Sequence, residues 1–226
     1  MNLSTLKPLN SLSLEPLKEG WKWVRLGEVL LTNPQYGLTA TAENSEKDYI
    51  YIRITDITDE GKLKIEDLRF IDLDKEIFEK YKVFENDILI ARSGSVGRIY
   101  LVKESDLPKP AVFASYLIRF KLNPNVVLPE YFFYFGLSEQ YKNFILEQIK
   151  TVAQPNINAK QYQNIQFSLP PLPEQRRIVE KLKGIMEEIE KARSACEKEL
   201  EAVKALPSAY LREVFESEEV KKWERR

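Results

Sequence analysis

The sequence predicts an α+β fold: a mixed α/β domain with a small sheet, followed by one long coiled-coil-forming helix. Two observations carry this. Residues 49–55, YIYIRIT, set isoleucine at every second position, the period of a strand. Residues 174–206 follow a proline cluster and place apolar side chains at alternating intervals of four and three, the rhythm of a helical seam. The division is a leader over 1–20, a domain over 21–168, a helical region over 169–216 and a tail over 217–226.

The elements follow in order. Two tryptophans, Trp21 and Trp23, sit where the chain first packs against the domain body. Asn33-Pro34-Gln35-Tyr36-Gly37 clusters turn residues and reads as a loop. After the strand at 49–55, the Glu60-Gly61 turn leads to a short strand within 61–71. Residues 87–102 read as strand–turn–strand: Ile88-Leu89-Ile90-Ala91, a glycine turn RSGSVGR at 92–98, then Ile99-Tyr100-Leu101-Val102. One or two more strands fall in 112–122. Pro129 suits a first helical position, and Gly136 breaks the aromatic segment 129–149 into two helices. Residues 151–161, TVAQPNINAKQ, form a polar loop.

Pro170, Pro171 and Pro173 impose an extended approach to the long helix, which starts near Glu174 and runs to about Leu206. Its seam is Ile178, Leu182, Ile185, Ile189, Ala192, Cys196, Val203 and Leu206, with Glu199 at the one polar position. Pro207 kinks or ends it, and a second short helix holds Tyr210, Leu211, Val214 and Phe215. A helix cannot bury its own stripe, so a partner helix is expected.

Composition narrows the chemistry. The chain has 226 residues, 43% hydrophobic and 31% charged, with a formal net charge of −1. It contains no histidine and one cysteine, Cys196. That removes histidine triads, histidine metal ligands, thiolate clusters and internal disulfides. No GxGxxG or GxxxxGK[ST] loop is present. Neither a catalytic group, a metal nor a cofactor is expected. Asn33-Pro34-Gln35-Tyr36 departs from the Asn-Pro-Pro-aromatic motif of amino-methyltransferases at Gln35. No run is apolar for the ~20 residues a membrane helix needs, so the cytoplasm is the expected compartment. Net charge lacks the basic excess of many nucleic-acid binders, so any such face is local. Residues 43–80 hold twelve acidic and seven basic side chains, whereas 86–121 hold three and six, which favours the second segment. Gly94 and Gly97 serve a tight turn, a phosphate cradle, or both.

Three segments in order resemble one family. They are GWKWVRLGEV at 20–29; DILIARSGSVG at 87–97 with QPNIN at 154–158; and SLPPLPEQRRIVEKL at 168–182. Together they resemble the specificity subunits of type I restriction–modification enzymes, over residues 20–216. The resemblance implies a target-recognition domain that binds double-stranded DNA and a conserved helix that pairs with another. It also implies methylation and restriction–translocation subunits as partners that carry the catalysis. A full subunit of that family holds two such units, and this sequence holds one. Lys222-Trp223-Glu224-Arg225 echoes Lys22-Trp23-Val24-Arg25, so both a half-subunit and a piece of a two-unit chain fit. Either way a homodimer through 174–206 is expected, with the helix as a spacer between two half-sites.

DNA-reading candidates are loop residues whose side chains suit bases or phosphates. They are Gln35, Tyr36 and Thr39; Arg92, Ser93, Ser95 and Arg98; and Thr151, Gln154, Asn156, Asn158 and Lys160. Three rival readings stand: a dimeric adaptor for a protein or other ligand, an enzyme, and the specificity part of a fused type IIB-like restriction–methylation enzyme.

Overall fold

A computed structural model describes residues 17–150 and 154–215. Thr151 and the tail repeat at 222–225 lie outside the described residues. The chain divides into two units, the first ending at Val179 and the second beginning at Glu180.

The first unit is built from short strands and helices. Lys22–Arg25 (β1) is followed by Gln35–Tyr36 (β2), Tyr49–Ile52 (β3), Phe70–Ile71 (β4) and the helix Lys75–Tyr81 (α1). Ile88–Ala91 (β5), Ile99–Leu101 (β6), Ala111–Phe113 (β7) and Leu117–Phe120 (β8) come next. The helices Pro129–Gly136 (α2), Glu139–Ile149 (α3) and Ala159–Gln163 (α4) precede Gln166–Leu169 (β9). The small sheet of the prediction is three sheets, ordered β2-β8-β5-β6, β4-β3-β7 and β1-β9. β3 and β7 run parallel; the other pairings are antiparallel.

The four-stranded sheet is buried on both faces, and strand alternation sorts its side chains. Ile88 and Ile90 of β5, with Ile118 and Phe120 of β8, join Phe132, Tyr141, Tyr162 and Phe167 in one core. Leu89, Ala91 and Leu117 face the other way, against Ile50, Ile52 and Phe113. A strand buried on two sides reads as a continuous apolar run, as ILIA does.

Several expectations shift at their boundaries. The strand expected over 49–55 stops at Ile52, because Arg53 turns back on itself. Its Nη2 and Nε meet the Asp56 carboxylate at 2.5 and 3.1 Å, which closes a 3-10 turn over Ile54–Asp56. The strand expected in 61–71 is confined to Phe70–Ile71. Gly136 closes α2, and its lack of a side chain matters for packing: a Cβ there would lie 2.6 Å from Ile99 Cδ1. Ser138 then opens α3 by accepting the Tyr141 N–H at 3.3 Å. The polar loop at 151–161 is interrupted by α4, whose cap is Asn158. Its side chain accepts from Gln161 N at 2.9 Å, and the Gln161 side chain accepts from Asn158 N at 3.0 Å.

The long helix Leu172–Phe215 (α5) has 44 residues and carries Pro207 inside it. The expected end near Leu206 and the separate short helix are therefore corrected to one helix. Pro207 forfeits the hydrogen bond to the Val203 carbonyl and crowds that carbonyl with its ring. Strong helix formers on either side, Lys204-Ala205-Leu206 and Ala209-Tyr210-Leu211, keep the turns around it. At about 1.5 Å per residue the helix is ~66 Å long.

The first turn of α5 belongs to the first unit and is anchored there by Gln175, which is fully buried. Its Oε1 accepts the Leu128 N–H at 2.8 Å. Its Nε2 donates to Pro170 O at 2.8 Å and Val126 O at 3.0 Å. All of its amide bonding serves groups that β1–β9 and α2 leave unpaired. Gln175→Met keeps the volume and removes all three bonds. It is expected to cost about 1–3 kcal/mol or more, the penalty of buried groups left without partners. Native-state hydrogen exchange should show the Leu128 amide losing protection beyond the global change; unchanged relative protection would refute this.

Candidate nucleic-acid interface

The glycine turn between β5 and β6 is held rigidly at its base. Ala91 N donates to Arg98 O at 2.8 Å, and Gly97 N donates to Ala91 O at 2.9 Å. Two buried tyrosines fix the same two residues from the helices behind. Tyr162 Oη donates to Ala91 O at 2.7 Å, and Tyr141 Oη donates to Gly97 O at 2.9 Å. Burial pushes both phenols far above their ordinary range, so both keep the proton they donate. Gly97 has φ +87°, and a Cβ there would sit 2.8 Å from Ile145, so only glycine fits. Arg98 completes the base: Nε meets Asp59 Oδ1 at 2.6 Å and Nη1 meets Ile57 O at 2.9 Å.

What this base presents is Arg92, Ser93, Gly94 and Ser95. Segment 154–158 docks beside them. Ser93 and Asn156 form a bridge, and Ile157 N donates to Arg92 O at 2.8 Å. The Arg92 amide donates to Tyr116 O at 2.9 Å, which ties the turn to the β7–β8 connection as well. The Arg92 side chain is placed by two neighbours. Its Nε donates to Asn156 Oδ1 at 3.3 Å, and its guanidinium carbon lies 4.8 Å from the centre of the Tyr36 ring. Tyr36 is fixed in turn, because its hydroxyl accepts the Ala159 N–H at 3.0 Å.

The structure thus brings Tyr36, Arg92, Ser93 and Asn156 together from three distant stretches of chain. Asn158, the cap of α4, and Lys160, exposed on that helix, flank Ala159, which donates to Tyr36, and Gln154 is exposed. Ser95 sits in the turn. Thr39 is exposed beyond β2, with no contact to the group. Gln35 is differently placed: its Nε2 donates to Lys80 O at 2.8 Å, and its Oε1 accepts from Arg119. Like that of Arg98, its side chain is engaged within the protein. Tyr116 was missed. It is 60% exposed at the β7–β8 turn, next to Arg92 in space. The available signal is a single aromatic in the short connection between two mostly apolar strands. Among the described residues, no cluster of three or more His, Cys, Asp or Glu could hold a metal ion. No described helix is long and apolar enough to cross a membrane.

An α+β unit thus carries a loop surface with Tyr36, Arg92, Ser93 and Asn156, and the chain continues into the long helix α5. The chain belongs to the family described as the type I restriction modification DNA specificity domain, whose model matches residues 18–198. The specificity subunit of the EcoBI type I restriction enzyme of Escherichia coli is 24% identical over 210 residues, which cover 92% of this chain and 44% of that subunit. The chain therefore spans less than half the length of that relative. Two solved structures share the fold. One is a chain from a study of complex assembly and conformational transition in the type I R-M system, with TM-score 0.64, 23% identity, and coverage of 88% of this chain and 50% of that one. The other is the HsdS subunit of Thermoanaerobacter tengcongensis, with TM-score 0.60, 22% identity, and coverage of 89% and 51%.

Proposed function

We propose that this chain gives a type I restriction–modification assembly its DNA sequence specificity. The unit over 21–168 reads one half-site of double-stranded DNA. Two chains pair through α5, which spaces the two readers on a bipartite site. Methylation and restriction–translocation subunits perform the chemistry, and this chain is not itself an enzyme and binds no cofactor. The assembly works in the cytoplasm, where its DNA is.

The observation that carries the reading is the surface built by Tyr36, Arg92, Ser93 and Asn156, in a chain of the specificity-domain family. A guanidinium, hydroxyls and amides held on a fixed scaffold are what phosphate and base contacts both require. Gln154, Asn158, Lys160 and Tyr116 extend that surface.

Salt separates this reading from a protein-binding adaptor. Each neutralised phosphate contributes about −0.9 to the slope of log affinity against log salt. Duplexes recovered by binding selection from randomised DNA should bind the chain with a slope of roughly −5 or steeper, summed over both readers. Affinity that is flat between 50 and 200 mM salt would instead favour the adaptor.

A further inference from the structure

We propose that Arg92 is a phosphate anchor, with Tyr36 and Asn156 as the residues that position it. This rests on the DNA-reading function proposed above and assigns one kind of contact within it.

Four other arginines around the sheets engage their terminal nitrogens within the protein. Arg53 holds Asp56 and Asp67 O, Arg69 holds Asp67 O and Leu68 O, Arg98 holds Ile57 O, and Arg119 holds Lys82 O, Gln35 and Asp87. Arg92 is built the other way. Only its Nε is engaged, by Asn156, and the Tyr36 ring supports the flat face. Among the described residues, Nη1 and Nη2 have no partner. A two-pronged donor is left, fixed in direction before any ligand arrives. Such a fork matches a pair of phosphate oxygens.

A guanine edge also offers two acceptors to an arginine. The surroundings favour phosphate. A base edge is planar and needs its donors in that plane, whereas a phosphate accepts from several directions at once. Beside Arg92 stand the hydroxyls of Ser93 and Ser95, neither with a hydrogen-bond partner among the described residues. They flank Gly94, which has φ +67° and is exposed. Arg92, Ser93, Gly94 and Ser95 are consecutive in one turn, so a phosphate there has a fork, hydroxyls and an open backbone within reach of its several oxygens.

The test uses the full chain and a fluorescent duplex carrying its selected sequence. Arg92→Gln should weaken binding about tenfold or more at low salt. It should lower the magnitude of the salt slope by about 1.8, about 0.9 for each of the two readers, and leave the selected sequence unchanged. Arg92→Lys keeps the charge without the fork, so it should restore most of the slope and only part of the affinity. Tyr36→Phe retains the ring and loses the hold on Ala159; Tyr36→Leu removes the ring, and should lose more affinity than Tyr36→Phe with the sequence preference intact. A relaxed preference at one base pair with an unchanged slope would overturn the anchor and make Arg92 a base reader. Unchanged affinity in Arg92→Gln would also overturn it. Wild-type chain that binds no duplex in a salt-dependent way would overturn the broader function instead, and the anchor with it. Arg92 is solvent-accessible, and matching thermal unfolding of each variant checks that the fold is kept.

Discussion

Arg119→Met is expected to lower the unfolding free energy by about 3–5 kcal/mol at neutral pH, the cost of breaking a buried ion pair from one side. Alternation along β8 forces the situation. Ile118 and Phe120 point into one core, so Leu117 and Arg119 must point into the other. There Arg119 is 7% exposed and lies 5.2 Å from the Phe113 ring centre. It donates to Lys82 O and Gln35 Oε1 and faces Asp87 Oδ2 at 3.4 Å. Burial pushes the Asp87 carboxyl up, opposed by the Phe84 N–H at 3.0 Å and by Arg119; burial also pushes Arg119 down. Both shifts say that this site is a costly place for charge, and that each partner is what makes the other tolerable. With methionine at 119, Lys121, 3.9 Å from Asp87, is the one ion-pair partner left to it among the described residues.

The pH dependence follows with a definite sign. A carboxyl whose folded pKa is raised stays protonated in the fold at a pH where the unfolded chain has lost its proton. Stability from that group falls as pH rises through the gap above about 3.9. Loss of Arg119 widens the gap, so the deficit should be smaller near pH 4 than at pH 7. Urea unfolding at the two pH values measures it, and Arg119→Met combined with Asp87→Asn should recover part of the loss. A deficit below about 1 kcal/mol at pH 7 would show the pair to be dispensable.

That pair leaves no local pattern in the sequence. Apolar runs and strand period made β3, β5, β6 and the β7–β8 pair visible, and the four-three spacing gave α5. Those signals come from burial, which local pattern records. Arg119 and Gln35 look like ordinary polar residues, because their partners stand 32 and 84 positions from Arg119. Arg98 looks like a member of the glycine turn, yet it binds Asp59 across 39 positions. The same blindness hid Tyr36 beneath Arg92 as a contact, although both were candidates separately. The turn itself was legible, since Gly94 and Gly97 each have the positive φ that their spacing suggests. Pro207 taken alone points to a helix end, but the helix formers on both sides of it carry α5 on to Phe215.

The seam of α5 is where a charge should have the largest effect on assembly. Ile185, Ile189, Val203 and Leu206 are 42, 54, 60 and 62% exposed, and apolar side chains continue past Pro207 at Tyr210, Leu211, Val214 and Phe215. A single stripe of this length has no means of covering itself. The occupant we propose is a second copy of this chain, because a relative matched over 92% of this chain, with 44% of its own length, has room for two such units. In a two-fold pair each substitution is present twice. Burying an unpaired carboxylate costs several kcal/mol, so Ile189→Glu should raise the dimer dissociation constant by about a thousandfold or more. Sedimentation equilibrium should find the wild-type chain dimeric at micromolar concentration and the variant monomeric. Ser194→Glu, on the face away from the seam, should remain dimeric. A wild-type chain that stays monomeric at high micromolar concentration would mean that α5 is covered by another protein, and the spacing of two readers would then have to be set by that partner.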